Sequence, residues 1–259
     1  MNTKVHATAL VDPGATLADD VEVGPYCVVG PDVSVGKGTK LRAHVVLEGP
    51  TEIGEDNDIY SFVSIGSAPQ DKKYDGEPTS LRIGDRNTIR ECTTINRGTV
   101  QDLGTTIVGD DNWIMSYVHI AHDCVVGNNV ILANNATLAG HVHVGDWAIF
   151  GGFSGAHQFC KIGPHSFLGM YSGIGKDVPA YVTVMGNPAE PRGVNSEGLK
   201  RRGFDREQIR NIRDAYKLLY RSQLRLEEAQ EAIAARVGEQ PELAPLLESI
   251  TGSSRSIVR

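Results

Sequence analysis

Long apolar runs are missing from this 259-residue chain, and nothing approaches the ~20 consecutive apolar residues that a bilayer-spanning helix needs. The opening MNTKVHATALVDPG lacks a basic segment followed by a long apolar one, so no secretory signal is read there and a cytoplasmic location is expected. Cysteine is scarce: Cys27, Cys92, Cys124 and Cys160 form no CxxC pair, which argues against a disulfide framework. Basic charge is in deficit as well. The net charge is −7, and residues 1–192 hold 13 Lys+Arg against 22 Asp+Glu, a balance unsuited to general nucleic-acid binding. Only residues 193–221 reverse the sign, with 8 basic against 4 acidic residues. That local surplus fits either a solvated helix face or one specific anionic partner.

A six-residue repeat dominates what is present. Stepping by six from Val5 gives Val11, Leu17, Val23, Val29, Val35, Leu41, Leu47, Ile53, Ile59 and Ile65, all aliphatic. The polar insertion SAPQDKKYDGEPTS interrupts the series, which resumes at Ile83, Ile89 and Ile95. After a second insertion, RGTVQDLGTT, it runs from Val108 through Ile120 and Leu138 to Ile174. Glycine often follows the aliphatic residue, as at Gly36, Gly54 and Gly84, and a small residue often lies four positions after it, as at Cys27, Ala136 and Ser154. Neither a helical nor an alternating pattern produces this series. Each hexad reads as a short strand plus a tight corner, and three hexads close one eighteen-residue triangular coil. Coils stacked ~4.8 Å apart then bury a continuous aliphatic column. The glycines are expected at corners whose backbone angles other residues avoid. An ice-binding solenoid would want a flat Thr ladder, and none is present.

The repeat fades at KDVPAYVTVMGNPAEP, which reads as a linker. Helical periodicity follows: DREQIRNIRDAYKLLYRS opens with an Asp cap, and LRLEEAQEAIAARV and PELAPLLESI read as further helices. The expected division is a parallel β-helix over residues 1–187 and a small α-helical domain over 188–259.

Six of the eight histidines lie between residues 119 and 165. With eighteen residues per coil, His122, His141 and His157 are expected on nearly one edge of successive coils. Such a file suits a zinc site, since neutral imidazole is a common zinc ligand. It equally suits general-base catalysis on a hydroxyl, with Asp123 orienting the base, although neighbours in a strand point to opposite faces. Spacing leaves both open.

The hexads resemble those of left-handed β-helix proteins. HIAHDCVVGNN, LANNATLAGHV, GAHQFC, QDKKYDGEPT, INRGT and above all GVNSEGLKRRGF resemble the UDP-N-acetylglucosamine O-acyltransferases, which open lipid A synthesis, over essentially the whole chain. The resemblance implies a cofactor-free, metal-free homotrimer with active sites between subunits. It implies transfer of a 3-hydroxyacyl group from acyl carrier protein to the 3-hydroxyl of UDP-N-acetylglucosamine. His122 would be the general base and the Gly140 N–H the oxyanion donor. Gln70, Asp71, Lys73, His119, His141, His157, Gln158, Asn195, Glu197, Arg201 and Arg202 would line the substrate site. The basic stretch with Lys200, Arg206, Arg210 and Arg213 would meet the acidic carrier protein. Met170, where members using long chains carry glycine, would shorten the acyl groove and favour a 3-hydroxydecanoyl donor. Asn96 departs from the histidine found in many members. A carbonic-anhydrase-type zinc enzyme and a sister N-acyltransferase of the same pathway are the competing readings.

Overall fold

The computed structural model describes residues 3–259. The described residues up to Val194 wind into a triangular prism whose faces are sheets of 11, 9 and 8 strands, parallel except for the last strand of the first. The first face begins at Lys4–Val5, the second at Leu10–Val11 and the third at Thr16–Leu17. Lys4 pairs with Glu22 and Val5 with Val23, so one turn of the prism is eighteen residues, as the repeat requires. The insertions bulge outward without breaking this stacking: Ile65 pairs with Ile95, and Ile95 with Ile120. From Val23 onward every aliphatic station is buried, whereas Val5, in the first coil, is 48% exposed.

The corners differ from the sequence expectation. Apart from Gly66 (φ +81°), the glycine after each aliphatic residue does not have positive φ; that conformation falls three residues after the aliphatic one. Asp20, Tyr26, Asp32, His44, Asp56, Phe62, Asp123, His141, Phe159 and His165 all occupy such left-handed positions. Glycine is needed for a different reason. A Cβ on Gly36 would lie 2.5 Å from the Gly54 carbonyl carbon of the next coil, so the crowding is between backbones. Stacking along the edges accompanies the left-handed residues: Tyr26 and His44 rings lie 5.0 Å apart, and His44 and Phe62 4.9 Å.

The Pro-rich stretch is not a linker. It forms strands Val182–Met185 and Glu190–Val194, which pair antiparallel and cap the first face. Beyond the cap come α1 (Ser196–Arg201), α2 (Arg206–Tyr220), α3 (Leu226–Val237) and α4 (Ala244–Thr251). Asp205 caps α2, accepting from Glu207 and Gln208 N–H while the Gln208 side chain bonds back to it. Ile209, Ile212, Tyr216 and Leu219 form its buried face. These helices share a second apolar core with Ala180 and Tyr181, separate from the aliphatic column. No helix among the described residues is long and apolar enough to cross a membrane.

Candidate active site

One edge of the prism, where the second face turns into the third, collects the chemistry. Ile65, Ile95, Ile120, Leu138 and Ala156 are stacked on the second face. The segments after them therefore project from one edge on five successive coils. They are the two insertions, then His122–Asp123, Gly140–His141 and Gln158–Phe159. The insertions wall a cavity of about 660 Å³ lined by Gln70, Asp71, Lys73, Asp102, His122 and His141, with Gln158 and Phe159 beyond.

His122 and Asp123 are adjacent, yet their side chains meet because they sit at a corner and not in a strand. Asp123 has φ of 57°, which turns its carboxylate back so that Oδ2 lies 2.9 Å from His122 Nδ1. A carboxylate only accepts, so Nδ1 carries the proton and Nε2 is left with a lone pair. Asp123 is fully buried. It also accepts from Thr99 N–H at 3.0 Å and from the Thr99 hydroxyl at 2.6 Å. Burial alone would raise its pKa, but the bonds from His122 and Thr99 outweigh that and hold it below the usual carboxylate range.

Gly140 lies one coil above His122 on the same corner. A Cβ there would fall 2.5 Å from His122 Cε1 and 2.6 Å from Nε2, so the imidazole rests directly against this glycine. The Gly140 amide has no protein acceptor among the described residues. Its station explains why. Pro25, Pro31 and Pro164 occupy the same place in their own hexads, two after the aliphatic residue, where the fold asks for no amide donor. The corner thus presents a base lone pair beside a free N–H.

Two of the three filed histidines come together. His141 is nine-tenths buried, and its ring stands edge-on to His122 with centroids 4.9 Å apart. Phe159, and not His157, stacks on it from above at 4.3 Å and 5°. His157 is exposed, with Nδ1 3.3 Å from the Gln158 carbonyl oxygen, and lies outside the cavity lining. His119 sits on the second face, its Nδ1 2.7 Å from the Thr94 hydroxyl. Burial, with the nearby charge of His122, pushes its pKa down. The potential metal donors among the described residues are His122, Asp123 and His141, whose nearest donor atoms lie within 4.8 Å.

Sequence reasoning gave no role to Asp102, Thr99 or Arg97 and marked Asn96 only as a departure from the family pattern; all four come from the second insertion or its root. Asp102 Oδ2 lies 2.7 Å from His141 Nδ1. Asn96 donates to the Ser67 and Ala68 carbonyl oxygens, and Arg97 to those of Gly49 and Gly66 and to the Tyr74 hydroxyl. They fasten the first insertion, and with it Gln70, Asp71 and Lys73, to the prism. Strand periodicity carries no signal for such loop contacts.

The tail residues gather elsewhere, at the edge between the third and first faces. Asn195 caps α1 and its Nδ2 donates to the His165 carbonyl oxygen at 3.0 Å. Arg202 donates to His165 Nδ1 at 3.1 Å and lies over the Trp147 ring at 5.1 Å. Glu197 pairs with Lys200 at 2.7 Å, Arg210 with Glu207 at 3.0 Å, and Arg213 donates to the Ser196 hydroxyl; Arg201 and Arg206 are exposed. Met170 stands on the third edge of the prism, 56% exposed.

Stacked hexads with an imidazole–carboxylate pair at a loop-walled edge define a transferase of the hexapeptide-repeat class. A family model described as bacterial transferase hexapeptide matches residues 105–140. Another, UDP N-acetylglucosamine O-acyltransferase domain 2, matches residues 177–258. The acyl-[acyl-carrier-protein]–UDP-N-acetylglucosamine O-acyltransferase of Herminiimonas arsenicoxydans is 57% identical over 98% of this chain and 99% of its own. That of Janthinobacterium sp. (strain Marseille) is 59% identical with the same coverage. The crystal structure of the UDP-N-acetylglucosamine O-acyltransferase from Moraxella catarrhalis RH4 matches with a TM-score of 0.96 at 49% identity, covering 98% of this chain and 99% of that one. The chain belongs to the UDP-N-acetylglucosamine O-acyltransferase family. It is an acyltransferase, and its β-helix is left-handed.

Proposed function

We propose that this chain transfers a 3-hydroxyacyl group from the thioester of acyl carrier protein to the 3-hydroxyl of UDP-N-acetylglucosamine, by general-base catalysis at His122, at the start of lipid A synthesis. The arrangement that carries the reading is the His122 imidazole resting against Gly140, whose amide has no protein acceptor among the described residues, in the walled cavity. Nε2 takes the hydroxyl proton as the sugar oxygen attacks the thioester carbonyl, and the ionised Asp123 stabilises the imidazolium. The Gly140 N–H meets the oxyanion. Collapse breaks the carbon–sulfur bond, and the imidazolium returns its proton to the departing thiolate. The relatives' names supply the two substrates.

The separation of the two residue sets within one chain supports the homotrimer reading. Asn195, Glu197, Arg201 and Arg202 lie on a different edge from His122, so a second copy is needed to bring both sets to one nucleotide sugar. In that assembly Arg202 is suited to the diphosphate, because a guanidinium fork pairs bidentately with its oxygens. The basic surface of α1 and α2 receives the acidic carrier protein. Residues 1–187 and 188–259 serve as scaffold and docking domain, and the enzyme works in the cytoplasm without a metal or cofactor. Met170 stands two coils and two faces beyond His122, roughly 13 Å along the axis at ~4.8 Å per coil. There it closes the acyl groove and selects the 3-hydroxydecanoyl over the 3-hydroxymyristoyl donor.

The test is product analysis with UDP-N-acetylglucosamine and a panel of acyl carrier protein thioesters, beside His122→Ala. Ester should form with the ten-carbon donor preferred, and the variant should lose activity while keeping its fold. Met170→Gly should shift preference to longer donors. Ester formation at the normal rate by the His122 variant refutes the mechanism, and better turnover of the longer donor by the parent refutes the chain-length reading. An amide product would assign the sister N-acyltransferase activity instead. Stoichiometric zinc in the purified protein would favour the carbonic-anhydrase-type reading.

A further inference from the structure

We infer that Asp102 is a positioning residue for the transfer, holding His141 in the tautomer that turns a bare Nε2 toward the acceptor sugar. This rests on the proposed function and concerns a residue of the second insertion that lies outside every motif of the resemblance. Asp102 Oδ2 is 2.7 Å from His141 Nδ1, and the side chain is 37% exposed on the cavity side. Among the described residues Asp123 is the only other carboxylate within 4 Å of that nitrogen, and at 3.8 Å it is committed to His122 and Thr99. Phe159 and His122 fix the plane of the His141 ring but leave open which nitrogen holds its proton. The bond to Asp102 decides it. With Nδ1–H donating to a carboxylate, the neutral ring offers Nε2 as an acceptor. Its ligand is then a donor of the sugar, a hydroxyl or an amide N–H.

The turn that carries Asp102 has a second duty. The N–H and the hydroxyl of Thr99 bind Asp123, which orients His122, and the Asp102 and Gly104 amides close back onto the Thr99 carbonyl at 3.4 and 3.0 Å. One turn of six residues, Thr99 to Gly104, therefore sets the tautomers of both imidazoles in the cavity. Thr99 acts on the base through Asp123, and Asp102 acts on its neighbour directly.

Separating Asp102 from simple loop packing requires two variants and two readouts on the full-length enzyme. In Asp102→Asn the amide oxygen still accepts from Nδ1–H; in Asp102→Ala nothing does. Asp102→Ala should raise KM for UDP-N-acetylglucosamine roughly ten-fold, the scale of one lost hydrogen bond to a charged group, with kcat little changed. Asp102→Asn should keep KM within about three-fold of the parent. Nitrogen NMR of histidine-labelled protein should show His141 protonated at Nδ1 in the parent and the Asn variant, and a mixture of tautomers in the Ala variant. An unchanged KM in Asp102→Ala overturns the inference, as does a His141 that keeps Nδ1 protonated without the carboxylate. If the parent makes no ester at all, the proposed function fails, while the tautomer measurement still judges Asp102.

Discussion

At the scale of single residues, the site depends on a hydrogen atom where any other residue has a carbon. Gly140 does not have positive φ, so alanine fits its backbone without strain. Its methyl group, however, would fall 2.5 Å from the His122 ring. The ring must then swing away from the free amide, while the column beneath, with Leu138 and Ala156 fully or nearly buried, is untouched. Gly140→Ala should therefore lose about 10²-fold in kcat, the penalty typical of a catalytic group misplaced by an ångström, at an almost unchanged melting temperature. Steady-state kinetics beside thermal denaturation decide it; a variant with normal kcat would mean that His122 does not work from this position. The hexad pattern sets Gly140 apart from the crowding glycines only by its place, two positions after the aliphatic residue and not one. Its role becomes visible only when the residue eighteen positions earlier is a histidine.

At the scale of elements, the corners explain both what the sequence displayed and what it concealed. The aliphatic period predicts strands, coil length and column, because burial leaves little choice at those stations. It also places both insertions after stations of one face, so the edge carrying His122 could be deduced by counting in eighteens. The left-handed residue of each corner was not legible, since Asp, Asn, His and aromatics all fill it and no single type marks it. The capping hairpin was concealed as well: Pro188 and Pro191 read as breakers, yet an antiparallel strand at the end of a sheet tolerates proline. His165 shows what a corner can contribute. It stacks between Trp147 and Tyr181 and meets Phe204 edge-on at 5.2 Å, joining the tail to the prism. Burial, and then the charge of Arg202, push its pKa down to about 4. The unfolded chain binds a proton there near pH 6.5 and the folded chain does not, so folded-state stability is full above that pH and falls as pH drops toward 4. Discounted for the partial exposure of the ring, the shift corresponds to about 2 kcal/mol. Denaturation midpoints of the parent should fall more steeply over this window than those of His165→Gln, and parallel curves would show that the imidazole is not held neutral by the fold.

At the scale of the whole molecule, the proposed mechanism leaves a single prism an incomplete enzyme. Its base lies on one edge, its arginine and asparagine tail on a second, and Met170 on the third. Three such prisms around a threefold axis can bring unlike edges together, and a ring of that kind makes each contact heterologous. Sites shared in this way can be rebuilt from two broken chains. His122→Ala removes the base from one edge, and Arg202→Ala removes the phosphate contact from another. Each variant alone should be nearly inactive. When the two are coexpressed in equal amounts and assemble at random, about a quarter of the sites pair an intact first edge with an intact second edge. Activity per site should then recover to about a quarter of the parent value, and denaturing and reassembling the separately purified variants together should reproduce it. A mixture as inactive as its components would mean that His122 and Arg202 serve the same site from one chain, or different sites altogether. Either outcome removes the reason for placing the nucleotide sugar between subunits, since the distance between the edges within one chain would then have to be closed by the chain itself.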